Sequence, residues 1–135
     1  GTLSGNPIAV AAGLSTLKLI LEKSFFITLS EITTEFTEGF KKAAEDNGFD
    51  DFSTDCVGGM FGLYFSKTRP QSFVDVSNCN QDNFKKFFHL MLENGVYLAP
   101  SSYEAGFLSI QHKGKPLKKA IKAAHNSFKK LKKLI

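Results

Sequence analysis

Cysteine is scarce in this chain of 135 residues: Cys56 and Cys79 stand alone, far apart, with no CxxC spacing. That argues against a thioredoxin-like redox pair; a single disulfide between them is one reading, and free buried thiols in a cytosolic protein are the favoured expectation. Long apolar runs are missing too, since Leu14–Leu21 is broken by Lys18 and by the polar Ser15 and Thr16. A membrane-spanning helix, and with it a membrane partner, is therefore not expected. The chain opens on glycine and a polar turn rather than on a basic, apolar leader, so no signal peptide is expected. His89, His112 and His125 have no partner at metal-ligand spacing, and no metal site is expected. No GxSxG, HExxH, GxGxxG or P-loop pattern occurs, and no internal repeat or low-complexity linker divides the chain. The length suits one core, not two.

Acid is absent from Lys113 to Ile135, a tail that holds nine lysines; the preceding residues carry eight basic against thirteen acidic groups, net −5. A basic tail on an acidic body reads either as a nucleic-acid arm or as one solvated helix face. Leu117, Ala120, Ile121, Ala124, Phe128 and Leu131 recur at helical spacing, which leaves the lysines on the other side. No arginine interleaves them, as single-strand binding would favour. The solvated face is the better reading, and no nucleic-acid partner is expected.

What the chain has in plenty is phenylalanine, fourteen in all, which concentrates burial energy in a few large side chains. Asn6-Pro7 predicts a helix start, with asparagine as N-cap and proline at N1. The dense apolar residues that follow (Ile8, Val10, Leu14, Leu17, Ile20, Leu21) predict packing on more than one side. A second helix carries Leu29, Ile32, Phe36, Phe40 and Ala43 and should stop near Asn47-Gly48. Val57–Phe65 reads as one strand apolar on both faces, with a weak strand near Phe73–Val76. A helix over Gln81–Glu93 should turn Phe84, Phe87, Phe88, Met91 and Leu92 inward. Val96–Ala99 and Phe107–Gln111 read as two short strands, and a last helix enters through Pro116. The fold class is α+β: a small, mainly antiparallel sheet covered by helices.

Two segments carry candidate chemistry. Between the last two strands, Pro100–Phe107 sets a lone carboxylate, Glu104, among aromatic and small residues. A charge there is either paired with a lysine or used. Tyr103 would support Glu104 or cover the sheet edge. The opening Gly1–Asn6 feeds a polar turn with Thr2 and Ser4 hydroxyls into a helix N-terminus. On chemistry alone this is a capped entry loop or a seat for an anion such as a phosphate ester.

At these segments the chain resembles a known family. Gly1-Thr2-Leu3-Ser4-Gly5-Asn6-Pro7-Ile8-Ala9 is similar to the loop and helix start of class-III, fold-type-I aminotransferases that use pyridoxal phosphate. Leu3-Ser4, where others carry Phe-Gly or a similar pair, points to the aminomutase branch. Gly58–Phe65 resembles a strand of that family's C-terminal domain. Phe87-Phe88-His89, then Met91–Ser101 and Glu104-Ala105-Gly106-Phe107, match its most distinctive stretch. The resemblance covers essentially the whole chain in order.

It implies a C-terminal portion, with residues 1–24 as phosphate loop and linking helix and 25–135 as an α+β domain. It implies pyridoxal 5'-phosphate as cofactor, with Gly1 and Thr2 at the phosphate of the partner subunit's cofactor across a homodimer. Glu104 would then lie near cofactor and substrate as the candidate catalytic residue. The implied reaction moves an amine within a small-molecule substrate on the way to tetrapyrroles, in cytoplasm or plastid. The lysine that the family's covalent chemistry needs precedes the opening motif, so this stretch alone is expected to be inactive. Lys113-Gly114-Lys115 also replaces the family's acidic lead-in to the final helix, which weakens that helix's N-terminal charge complement.

Overall fold

The computed structural model describes residues 1–135. Asn6 caps the first helix, α1 (Pro7–Ile20): its Oδ1 accepts from the amides of Ile8 and Ala9 at 3.0 and 3.2 Å, and Pro7 needs no partner. The predicted packing on more than one side is not met within this chain. No residue of α1 is buried, and Ile8, Val10, Leu14, Leu17 and Leu19 are each more than half exposed. Each such side chain forgoes about 1.5–3 kcal/mol of burial. Deleting residues 1–24 is therefore expected to leave the unfolding midpoint of the remainder in place, as a thermal melt followed by circular dichroism would show.

The second helix, α2 (Phe25–Glu45), buries Ile32, Phe36, Phe40 and Ala43 at the predicted spacing and ends at the predicted place. Gly48 takes φ +81°, and the Phe49 amide returns to the Ala44 carbonyl at 3.0 Å. Where the sequence suggests one strand from Val57, there is a hairpin: β1 (Ser53–Val57) pairs antiparallel with β2 (Met60–Tyr64). Gly58-Gly59 is its two-residue turn, and Gly58 at φ +57° supplies the left-handed conformation such a turn demands. Within β2, Phe61, Leu63 and Phe65 just beyond it face the core, whereas Met60, Gly62 and Tyr64 share the opposite face.

The expected strand near Phe73–Val76 is a one-turn helix, α3 (Phe73–Ser77), held by a reciprocal cap. The Ser72 hydroxyl accepts from the Asp75 amide, while the Asp75 carboxylate accepts from the Gln71 amide at 2.9 Å and the Ser72 hydroxyl at 3.0 Å. Those bonds, the Gln71 amide foremost, hold the Asp75 carboxyl below the usual carboxylate range. The local capping geometry overrides the strand preference of Phe-Val-x-Val.

The next helix, α4 (Gln81–Glu93), starts at Asn80 as expected and buries Phe84, Phe87 and Met91. Asn83 and Leu90 are buried as well; Leu92 turns outward and Phe88 is only half-buried. Val96–Ala99 is not a strand, and only Gly106–Phe107 forms β3, opposite Phe61 and Met60. The sheet is thus three antiparallel strands in the order β1-β2-β3.

The last helix, α5 (Lys115–Leu131), buries Leu117, Ala124, Phe128 and Leu131 with its lysines exposed, as its periodicity predicts. It has neither a side-chain cap nor an acid in its first turn. It crosses α2 closely: a Cβ on Gly39 would lie 2.5 Å from Ile121 Cδ1, so glycine is what admits Ile121.

The helix α2 packs on one face of the sheet, α5 packs between α2 and α4, and the core lies among them. Its centre is five phenylalanines: Phe128 meets Phe49, Phe52, Phe65 and Phe87 with ring centroids 4.5–6.0 Å apart. The other face leaves Val57, Met60 and Phe107 exposed. Cys56 and Cys79 are free thiols, as expected. Burial pushes the Cys79 thiol up, opposed by the Ser66 side chain and reinforced by Asp75.

Candidate functional site

The opening turn is exposed and polar. Its backbone closes on itself through Ser4 N to Gly1 O at 3.0 Å and Asn6 N to Leu3 O at 3.1 Å. The amides of Thr2, Leu3 and Gly5 make no hydrogen bond within the chain, and neither do the Thr2 and Ser4 hydroxyls. The first-turn amides of α1, in contrast, are spent. Asn6 takes those of Ile8 and Ala9 by its side chain and that of Val10 by its carbonyl, and Pro7 has none. Capping and anion binding thus fall to different groups: the helix end is capped, and the turn ahead of it keeps its donors. That donor set, neutral N–H and O–H groups with no cation, fits a phosphate ester. Thr2 and Ser4 give it two hydroxyls.

The second segment follows Leu98, which is buried. Within it, the Glu104 amide donates to the Ser101 carbonyl at 3.1 Å, and the Tyr103 amide to Ser101 Oγ at 3.2 Å. Ser102 is buried, and its hydroxyl donates to Oε1 of Gln81 at the start of α4. β3 then returns the chain to the sheet. The loop is short, closed by its own bonds and tied to both layers.

On it, the Glu104 carboxylate is exposed and pairs with no lysine, arginine or other donor of the chain. The surface ion pair that its composition permits is not formed, and water, not burial, meets its charge. Beside it opens an apolar recess lined by Phe61, Leu63, Phe84 and Leu98. Tyr103 neither bonds Glu104 nor covers the sheet edge; its ring lies 5.5 Å from that of Phe73 on α3.

Gly1 and Thr2 do not meet Glu104. No hydrogen bond or shared cavity joins the two segments, and α1 packs chiefly on α2. Two further groups lie outside the sequence reading. On the open sheet face, Tyr64 stands with Asp55 beside a small hollow that Ala105 reaches from the Glu104 loop. Burial raises the Tyr64 phenol above its ordinary value, with Asp55 and then Cys79 pushing the same way. Gln81 is the other, a helix-start residue whose partner lies 21 positions away, beyond any local spacing signal. On α5 the lysines line a solvated face, and the tail's one phenylalanine, Phe128, is fully buried and cannot stack on a base.

No protein-family model matches the chain. Among curated proteins, it is 55% identical over 131 residues to the glutamate-1-semialdehyde 2,1-aminomutase of Polynucleobacter necessarius subsp. necessarius strain STIR1, covering 97% of this chain and 30% of that protein. It is 49% identical to the enzyme of the same name from Laribacter hongkongensis strain HLHK9, covering 97% of this chain and 31% of the relative. The chain thus spans about 30% of the length of the curated relatives it matches. Among solved structures, a transaminase with pyridoxal phosphate bound superposes with a TM-score of 0.73 at 16% identity, over 96% of this chain and 28% of the other. An omega-transaminase from Sphaerobacter thermophilus gives 0.74 at 16% identity, over 94% and 28%. The fold is that of a part of a transaminase, and the relatives bear out the resemblance read from the motifs.

Proposed function

We propose that this chain is the C-terminal portion of a glutamate-1-semialdehyde 2,1-aminomutase, a pyridoxal-phosphate enzyme that converts glutamate-1-semialdehyde to 5-aminolevulinate for tetrapyrroles. The observation that carries the proposal is 55% identity spread over 97% of the chain yet only 30% of the relative. The bare helix α1 supports it. An apolar helix with no buried residue needs a cover, and a polypeptide as long as the relatives' would have further chain to provide one. On this reading residues 1–24 are the phosphate loop and linking helix, residues 25–135 are the α+β domain, and the whole protein is a cytoplasmic homodimer.

When bound, pyridoxal phosphate supplies the carbonyl carbon that takes up and returns an amine. The residues of this chain bind and orient. The backbone around Gly1 and the Thr2 hydroxyl hold the phosphate of the partner subunit's cofactor, using the amides that the chain leaves free. Because no lysine or arginine stands in the turn, it contributes directed neutral donors rather than charge. Glu104, on a loop fixed at both ends, accepts hydrogen bonds from the substrate's amino group and so sets which end of the molecule faces the cofactor. The separation of Gly1 and Thr2 from Glu104 suits a dimer in which the turn serves the neighbour's site and Glu104 its own. The reactive lysine lies on polypeptide outside these residues, so the isolated chain turns nothing over.

The full-length protein is the material for the test. It should convert glutamate-1-semialdehyde to 5-aminolevulinate, and Thr2→Val should raise its dissociation constant for pyridoxal phosphate about tenfold, a hydrogen bond to a charged group being lost. A full-length protein that only exchanged amines between an ω-amino acid and a keto acid would belong to another class-III aminotransferase and refute the assignment.

A further inference from the structure

Residues 100–104 reach another element through one hydrogen bond, from the buried Ser102 hydroxyl to Gln81 Oε1. Gln81 is itself held on both sides. Its Nε2 donates to the Val76 carbonyl at 2.7 Å, so the amide is oriented with its oxygen towards Ser102. The preceding residue, Asn80, donates its backbone amide to the carbonyl of buried Phe65 at 2.9 Å and caps α4 by accepting from Asn83 at 2.9 Å. A continuous line of bonds thus runs from the end of the core strand, through the start of α4, to the residue two positions before Glu104. Glu104 has no side-chain partner of its own, so its place is set by the backbone of this loop alone.

We infer that Gln81 is a positioning residue for Glu104: through Ser102 it fixes the height of the loop over the recess, and hence where the carboxylate stands relative to the substrate. The inference rests on the assignment of Glu104 to the substrate's amino group made above. The neutral amide suits the task. It offers Ser102 an acceptor and Val76 a donor at once, where a charged side chain would compete with Glu104 for the same amine.

A double-mutant cycle in the full-length holoenzyme tests this, with kcat and KM measured at saturating pyridoxal phosphate. Gln81→Met keeps the side chain's length and removes both bonds; Ser102→Ala breaks the same link from the other end and serves if Gln81→Met does not fold. Either should lower kcat about tenfold, the scale of a misplaced catalytic group. In a Glu104→Gln background the same change should lower kcat by less than about twofold, because the residue acts only through Glu104. A merely structural role predicts equal losses in both backgrounds, and that result would overturn the inference, as would a silent Gln81→Met in a protein where Glu104→Gln is damaging. If Glu104→Gln itself left kcat unchanged, the assignment of Glu104 would fall first, and the positioning role with it.

Discussion

Phe128→Ala is expected to remove about 3–5 kcal/mol of stability, a large share of the roughly 5–15 kcal/mol that holds a domain folded. The side chain is completely buried, and its ring stacks on that of Phe87 at 4.5 Å while meeting Phe49, Phe52 and Phe65 at 5.0–6.0 Å. Those four partners come from the end of β2, from α4 and from the connection after α2, so one truncation loosens three elements. Close packing leaves the neighbours no way to refill the space, and the transfer and cavity losses add. Urea unfolding measures it: the midpoint should fall sharply with the slope unchanged. By the same reasoning Phe107→Ala on the exposed sheet face should leave stability nearly untouched in the isolated chain.

Glu104→Gln in the full-length protein carries the largest expected effect on activity. The substitution keeps the shape and deletes the charge. An exposed carboxylate with no partner contributes nothing to folding, so the melting temperature should stay within a degree or two. A carboxylate that orients a reacting amine is worth far more, and kcat should fall about a hundredfold, the scale of losing one directed electrostatic contact in an active site. Stability unchanged and turnover lost is the signature of a functional acid; both unchanged would return Glu104 to the solvated surface.

The four long helices were legible because each announces itself twice, by apolar spacing and by an end signal: Asn6-Pro7, Asn47-Gly48, Asn80 and Pro116. The sheet was not. β1 reads Ser-Thr-Asp-Cys-Val, too polar to stand out, and only its pairing with Phe61 and Leu63 makes it a strand. Gly58-Gly59 reads as part of one strand because nothing before it resembles a partner. β3, at two residues, is shorter than any period. α3 was hidden by its β-branched residues, which its cap outweighs. In the candidate site, Glu104 stood out as a charge in apolar company, and the opening turn by its glycines and hydroxyls. Two things needed coordinates: that Asn6 consumes the amides of α1 while the turn's own remain free, and that Gln81 reaches Ser102. Both depend on which atoms point where, which spacing along the chain does not encode.

The central claim is a division of labour, with binding and orienting groups on these residues and the covalent partner of the cofactor elsewhere. Treating the full-length protein with pyridoxal phosphate and borohydride, then mapping the labelled peptide by mass spectrometry, tests it directly. The account predicts one stoichiometric label on a lysine that precedes Gly1, and none when residues 1–135 are treated alone. A stoichiometric label on any lysine between Lys18 and Lys133, or formation of 5-aminolevulinate by the isolated chain, would contradict it.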